Sequence, residues 1–390
     1  MSDNWSSKRV QSLKFSEIRE VVTKVEAAKK QGISITNFSI GRPDFDTPDH
    51  IKAAAKDALD RGMVHYTASP GILPLREALA ARLEKDFQLA ADPDEIIFST
   101  GATEAIYIAL QAILEPGDEV VVPEPMYVYY TGWSILGGAA CVTVPLSEAD
   151  DFLLTADRLK EFITEKTKVV ILNSPHNPTG QVYRQEDLKE IAELAIARDF
   201  LVIADDIYNH QVFDDLTYYP IARFPGMKER TLIIGSFSKS YAMDGWRIGY
   251  LIAPKNIISG AMKMHQHIVS CPNAFVQLGA QAALEGPQDC VREMADEFDR
   301  RRKLVISCLD QIGLPCVRPR GAFYAFPSIR KYGMTSKDFS DFLLSEARVA
   351  VVPGSAFGHA GEGHIRIAYS TSYEEIEQGM ERVGNAVRKL

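Results

Sequence analysis

Between Glu95 and Gly235 the chain alternates short apolar runs with longer stretches of helical periodicity. The runs are Glu95–Ser99, Glu119–Val122, Val169–Leu172, Leu201–Ala204 and Thr231–Gly235; the helical stretches are Thr103–Leu114, Tyr127–Leu136 and Gln185–Ala197. A strand that is apolar on both faces must be covered on both, and strands separated by helices pair in parallel through helical crossovers. The pattern therefore predicts an α/β fold with a mainly parallel sheet between helices. Turn residues fall between the elements, as in Pro116-Gly117-Asp118 and Asn177-Pro178-Thr179-Gly180. Ligands bind such sheets at the carboxyl ends of the strands, so chemistry is sought there.

From about Gly286 the pattern changes. A long charged helix (Val291–Ile312) precedes strand-like Ala322–Phe326, a helix over Ser336–Ala347, strand-like Val349–Val352 and Ile365–Tyr369, and a last helix from Tyr373. That reads as a smaller α+β domain, and 390 residues exceed what one core usually organises. No window supplies the roughly 18 apolar residues of a membrane helix, and MSDNWSSKRV lacks the apolar stretch of a signal peptide. The expectation is a cytoplasmic protein with no membrane partner. A net charge of −9 gives no general attraction for nucleic acid, so any phosphate must be held locally. The five scattered cysteines read as free thiols, and the eight histidines show no metal-ligand spacing, so no metal is expected.

Four strand ends carry polar clusters. After Thr231–Gly235 comes Ser236-Phe237-Ser238-Lys239-Ser240, with Arg247 eight residues beyond the lysine. A lysine there can form a Schiff base with an aldehyde cofactor if burial or neighbouring cations lower its pKa, although alone it reads as solvated surface. After Glu95–Ser99 comes Thr100-Gly101-Ala102-Thr103-Glu104, a turn into a helix start, which favours an anion or is mere capping. Ile203-Ala204-Asp205-Asp206-Ile207-Tyr208 closes another strand; its carboxylate either keeps a pyridine nitrogen protonated or simply caps the strand. Asn173-Ser174-Pro175-His176-Asn177-Pro178 closes a fourth. No Gly-rich dinucleotide fingerprint is present, which counts against a nicotinamide cofactor.

Taken in this order, the motifs resemble the aspartate aminotransferase family, the fold-type I pyridoxal-phosphate enzymes, from about Ile40 to Ser370. The resemblance implies a seven-stranded sheet in a large domain (46–285). It also implies a small domain from 286–390 and part of an N-terminal arm (1–45). It implies that Lys239 carries pyridoxal 5′-phosphate and shuttles the substrate proton, that Asp205 holds the ring nitrogen, and that Tyr208 donates to the ring hydroxyl. Gly101, Ala102, Thr103, Ser236, Ser238 and Arg247 match the phosphate site, Tyr127 the ring that stacks on the cofactor, and Asn177 a contact to both cofactor and substrate. Arg366 matches the arginine that grips the substrate α-carboxylate, Gly41 a backbone contact to the same group, and Tyr66 a tyrosine that reaches the phosphate of a neighbouring subunit, implying a homodimer.

The implied function is transfer of an amino group from an L-amino acid to a 2-oxo acid. The same fold supports a carbon–sulfur lyase or other eliminating enzyme, and outside catalysis a non-catalytic effector-binding regulator. About 40 residues before Ile40 are too few for a winged helix, which disfavours the regulator. Glu104 poses a specificity question: facing the substrate it would repel a dicarboxylate, and facing away it is a first-turn acid that suits the helix dipole. Trp5, Phe15 and Trp133 are expected to pack in a core or an interface.

Overall fold

In the computed structural model, which describes residues 5–390, the alternating region folds into a seven-stranded sheet. Its strands are β1 (Ile96–Ser99), β2 (Glu119–Glu124), β3 (Ala140–Pro145), β4 (Thr167–Asn173), β5 (Leu201–Asp205), β6 (Thr231–Ser236) and β7 (Gly249–Ile252). The spatial order is β1-β7-β6-β5-β4-β2-β3, and only β7 runs antiparallel to its neighbours. The sequence pattern missed β3 and β7. Ala140–Pro145 lies at the sheet edge with only Val144 fully covered, so its apolar signal is weak. Gly249–Ile252 is buried throughout but stands directly behind the lysine motif, where a loop was expected.

Each central strand is buried on both faces, as its continuous apolar run requires. One face packs on the helix Ala102–Ile113, which buries Ala105, Ile106, Ile108, Ala109 and Leu110 between the sheet and the helix Lys255–Ile268. The opposite side receives the helix Gln185–Arg198 through Leu188, Ile191 and Ala195. The helix Leu73–Phe87 starts with a proline in its first turn and buries Leu75, Leu79 and Leu83, one residue per turn along a single stripe.

The C-terminal region builds a separate core around the helix Asp289–Ile312, which ends at Gly313 in the left-handed conformation, and the final helix Tyr373–Val387. A three-stranded antiparallel sheet, Val352–Pro353, Ile365–Ala368 and Tyr324–Ala325, lies in that core. The strand expected over Ala322–Phe326 thus shortens to two residues, and the helix expected over Ser336–Ala347 ends at Phe342 in one wide π turn. The N-terminal stretch enters the same core. Thr36–Asn37 pairs with Val349–Ala350, and fully buried Phe38 exchanges backbone bonds with Ala350 and Ala368. This threading carries Gly41 to the mouth of the large sheet. No helix among the described residues is long and apolar enough to cross a membrane.

Phe298 joins these pieces: it lies 4.9 Å from the Phe323 ring and 5.4 Å from Phe45, with no exposure. Phe298→Ala should lower stability by about 3–5 kcal/mol. Urea unfolding, followed by a probe in the C-terminal region, measures it.

Candidate active site

Strand register brings the polar clusters level. Asn173 at the end of β4 pairs with Asp205 at the end of β5, Asp205 with Ile234 of β6, and both Ser236 and Ser99 with Gly249. All four sequence clusters therefore open on one edge of the sheet.

At one side lies an anion cradle. The helix Ala102–Ile113 is capped by Gly101 (φ 79°) with no side chain occupying its first N–H groups, which leaves them directed outward for a ligand. A Cβ at Gly101 would lie 2.5 Å from Arg247 Nη2, so the guanidinium covers the turn only because residue 101 is glycine. Arg247 is itself left-handed (φ 56°) and donates from Nη1 to the Asp244 carbonyl at 2.8 Å. The Ser236 and Ser238 hydroxyls are 2.9 Å apart, with the Ser238 N–H donating to Ser236 Oγ. Beneath the turn, a Cβ on Gly249 would meet Ala102 N at 2.6 Å. Thr103 stands on the exposed side of the first helical turn.

Lys239 lies between this cradle and the C-terminal region. Its Nζ donates to the Gly41 carbonyl at 2.6 Å and sits 5.7 and 6.0 Å from the Phe323 and Tyr208 rings. The residue as a whole is half-buried, but these surroundings desolvate the ammonium. Burial lowers its pKa to about 8, aided by the positive charges of Arg366 and Arg247 and opposed by Asp244 and Asp205. An amine with that pKa is partly neutral, and so nucleophilic, near neutral pH.

Asp205 is buried at the cleft floor. Oδ2 accepts from the Tyr130 hydroxyl at 2.5 Å, and Oδ1 is buried without a partner. Such an oxygen is open to a donor from outside the chain. Burial raises the carboxyl pKa to about 6, while the Tyr130 hydroxyl, the Ile207 N–H and the charge of Lys239 pull it down. Asn173 braces the floor: its Nδ2 donates to the Asp205 carbonyl at 2.8 Å, and its Oδ1 accepts the Asn177 N–H at 2.9 Å.

Arg366 is buried opposite. It donates to Asn177 Oδ1 (3.0 Å) and to the Ser39 carbonyl (2.7 Å), while Nε has no partner. Its guanidinium lies 4.6 Å over the Tyr324 ring and 5.0 Å from that of Phe357. The Tyr208 and Tyr324 hydroxyls are 2.8 Å apart. Only glycine fits at position 41, because a Cβ there would lie 2.1 Å from the Tyr324 hydroxyl. Half-buried Tyr127 packs its ring edge-on to Tyr130 at 5.6 Å and feels the charges of Asp205 and Arg366.

Two residues singled out in the sequence stand outside this cluster. Tyr66 stays outside this cluster, 90% exposed. Glu104 turns away from the cleft, its two oxygens taken by the Thr100 N–H (2.5 Å) and His265 Nδ1 (2.6 Å), so the first-turn alternative holds. Trp133 is buried, whereas Trp5 and Phe15 are 94% and 97% exposed and join no core among the described residues. Sequence reading missed Tyr130, Asn173 and Tyr324. Tyr130 was hidden among Tyr127, Tyr129 and Trp133; Asn173 stood in a quoted motif but was assigned no role.

Comparison with known proteins decides the family. A model of aminotransferase class I and II matches residues 33–383. The chain is 47% identical to an aspartate aminotransferase of Pyrococcus abyssi and 43% identical to aromatic-amino-acid aminotransferase 2 of Thermococcus litoralis, each over 98% of both chains. The aspartate aminotransferase of Thermus thermophilus solved with maleate superposes with a TM-score of 0.94 at 36% identity, covering 98% of this chain and all of that one. This chain belongs to the class I and II aminotransferases.

An aminotransferase of this family uses pyridoxal phosphate to move an amino group between an amino acid and a 2-oxo acid. The donor set fits that cofactor: a helix start with open N–H groups and an arginine for a phosphate, a partnerless carboxylate oxygen for a protonated ring nitrogen, and a lysine with a desolvated amine for the aldehyde. The depressed lysine pKa has a sign that can be checked. Protein stripped of cofactor should take up pyridoxal phosphate faster as pH rises, with a midpoint near 8 where an ordinary lysine would give about 10.4. Stopped-flow absorbance across pH 6–10 provides the measurement.

Proposed function

We propose that this aminotransferase acts on aspartate and aromatic L-amino acids, as a homodimer in the cytoplasm, with the cleft residues in the following roles. The observation that carries the reading is the buried Arg366 guanidinium, held by Asn177 and Ser39 with Nε still partnerless and its charge felt by Lys239. An α-carboxylate is the complementary planar acceptor, and Asn177 and the Gly41 backbone lie next to it. The names of the two relatives at 47% and 43% identity support an acidic or aromatic side chain. Glu104 offers no repulsion to either, since it faces away.

When bound, pyridoxal phosphate supplies an electron-withdrawing ring that stabilises negative charge on the substrate α-carbon. The chain does the rest. Arg247, Ser236, Ser238 and the Gly101-Ala102-Thr103 turn would hold the phosphate; Asp205 would keep the ring nitrogen protonated; Tyr208 would donate to the oxygen of the ring hydroxyl; Tyr127 would cover the ring face. Lys239 Nζ, as a free neutral amine, would take the proton from the substrate α-carbon and deliver it to the carbon that carries the cofactor's aldehyde. Burial of Asp205 and Arg366 excludes water from both counter-charges, which strengthens each.

Exposed Tyr66 and Trp5 support the dimer, because each finds no cover in its own chain. In that dimer Tyr66 would complete the phosphate site of the second copy. The threading of Thr36–Asn37 onto Val349–Ala350 supports a small domain of 286–390 with part of 1–45, set against a large domain of 46–285.

Initial rates with aspartate, phenylalanine, tyrosine, alanine and arginine test the specificity; turnover of alanine or arginine alone would overturn it. Arg366→Lys should lower kcat/KM for every donor by roughly 10- to 100-fold, since one charged bond of a planar pair is lost and the fork geometry with it. Asp205→Asn, which keeps shape but removes the counter-charge, should lower kcat by at least about 100-fold while KM changes little.

A further inference from the structure

Glu104 and His265 take no part in the cleft, yet both are buried. Glu104 Oε2 accepts the Thr100 N–H at 2.5 Å, bracing the turn that opens the helix Ala102–Ile113. Its Oε1 lies 2.6 Å from His265 Nδ1, and His265 Nε2 lies 2.9 Å from the Ser69 carbonyl oxygen. A carbonyl only accepts, and an ionised carboxylate only accepts. Both bonds exist together when the ring carries a hydrogen on each nitrogen, or when the Glu104 carboxyl keeps one. Either way the imidazole, which has no exposure, is fixed from two sides.

Ser69 belongs to a segment that its own chain pins elsewhere as well. Gln277 donates to Thr67 Oγ1 at 2.9 Å and accepts the Ile72 N–H at 2.8 Å, and the Phe98 N–H donates to the Pro70 carbonyl at 3.0 Å. From the start of this pinned segment Tyr66 projects outward, 90% exposed. A side chain so exposed receives no support from packing, so the position of its hydroxyl depends on the backbone that carries it.

We propose that Glu104 and His265 are positioning residues that tie the phosphate-facing turn of one subunit's site to the loop that presents Tyr66 to the other subunit's site. This rests on the role given to Tyr66 above. The carboxylate that steadies Thr100 fixes the ring that steadies Ser69, three residues from Tyr66, so one buried pair references the loop that carries Tyr66 to the turn that faces the phosphate. Breaking it frees the Ser69 carbonyl and leaves a buried carboxylate oxygen without its donor, a costly arrangement that the loop relieves by moving.

The test uses the full-length dimer and pyridoxamine 5′-phosphate, which binds without a covalent bond to Lys239. Its dissociation constant is measured for the wild type, Tyr66→Phe, His265→Leu, the double variant and Glu104→Gln. Tyr66→Phe and His265→Leu should each weaken binding about tenfold, the scale of one hydrogen bond to a charged group, whereas the double variant should be no more than about twofold weaker than Tyr66→Phe. Glu104→Gln should stay within about twofold of wild type, because the amide oxygen still accepts from Thr100 and its NH2 can donate to Nδ1, leaving Nε2–H for Ser69. Additive effects, about a hundredfold in the double variant, would overturn the coupling while leaving the role of Tyr66 intact. Wild-type binding by Tyr66→Phe would instead overturn the role of Tyr66 itself. If His265→Leu does not fold, His265→Gln, which reaches only one of the two acceptors, enters the same cycle with the same expected outcomes.

Discussion

Asn173 and Asp205 face each other across two parallel strands, and that register decides where everything else can stand. A parallel ladder fixes the strand ends to within a residue, and a slip of one would turn Asp205 from the cleft to the opposite face. The asparagine side chain reinforces the pairing. It bonds the Asp205 carbonyl on one side and the Asn177 N–H on the other, so the loop that meets Arg366 is referenced to the strand that carries the acid. The C-terminal core is thereby aligned with the large sheet through side chains at the site itself, in addition to the apolar contact of Phe298, Phe323 and Phe45.

The sheet was legible because its central strands are buried on both faces, which forces continuous apolar runs and rigid turn residues between them. Edge strand Ala140–Pro145 escapes that rule, since one side of it meets solvent and its apolar signal thins. Lys239, Asp205, Asn177 and Arg366 were readable because each stands at or just beyond a strand end, or on a strand, in motifs whose order resembles the aspartate aminotransferase family. Tyr130 and Tyr324 were not. Their hydroxyls matter only through partners 75 and 116 residues away, and nothing local distinguishes such a tyrosine from core. Glu104 shows the converse: its position beside the turn was plain, but the direction of its side chain was settled by His265, far along the chain.

Charge in the cleft is arranged against the chain as a whole. The protein carries a net −9, yet the three cations Lys239, Arg366 and Arg247 outnumber the two carboxylates, Asp244 and Asp205, that act on the lysine. An anionic cofactor and an anionic substrate carboxylate would each be repelled by the average surface and attracted by this local field. The two arginines stand in different settings, Arg247 against the Gly101 turn that opens the helix and Arg366 against Asn177 and Ser39, so the chain offers two separate cationic seats.

Between those ends the two central groups hold each other in check. Burial alone would drive Lys239 toward the neutral amine and Asp205 toward the neutral acid, and each is pulled back toward its charged form by the other. Under the roles proposed above, a protonated ring nitrogen near the partnerless Asp205 oxygen would share with Lys239 the task of keeping that carboxyl ionised. Burial would then bias the lysine amine, whenever it is free, toward the neutral form that a proton carrier needs.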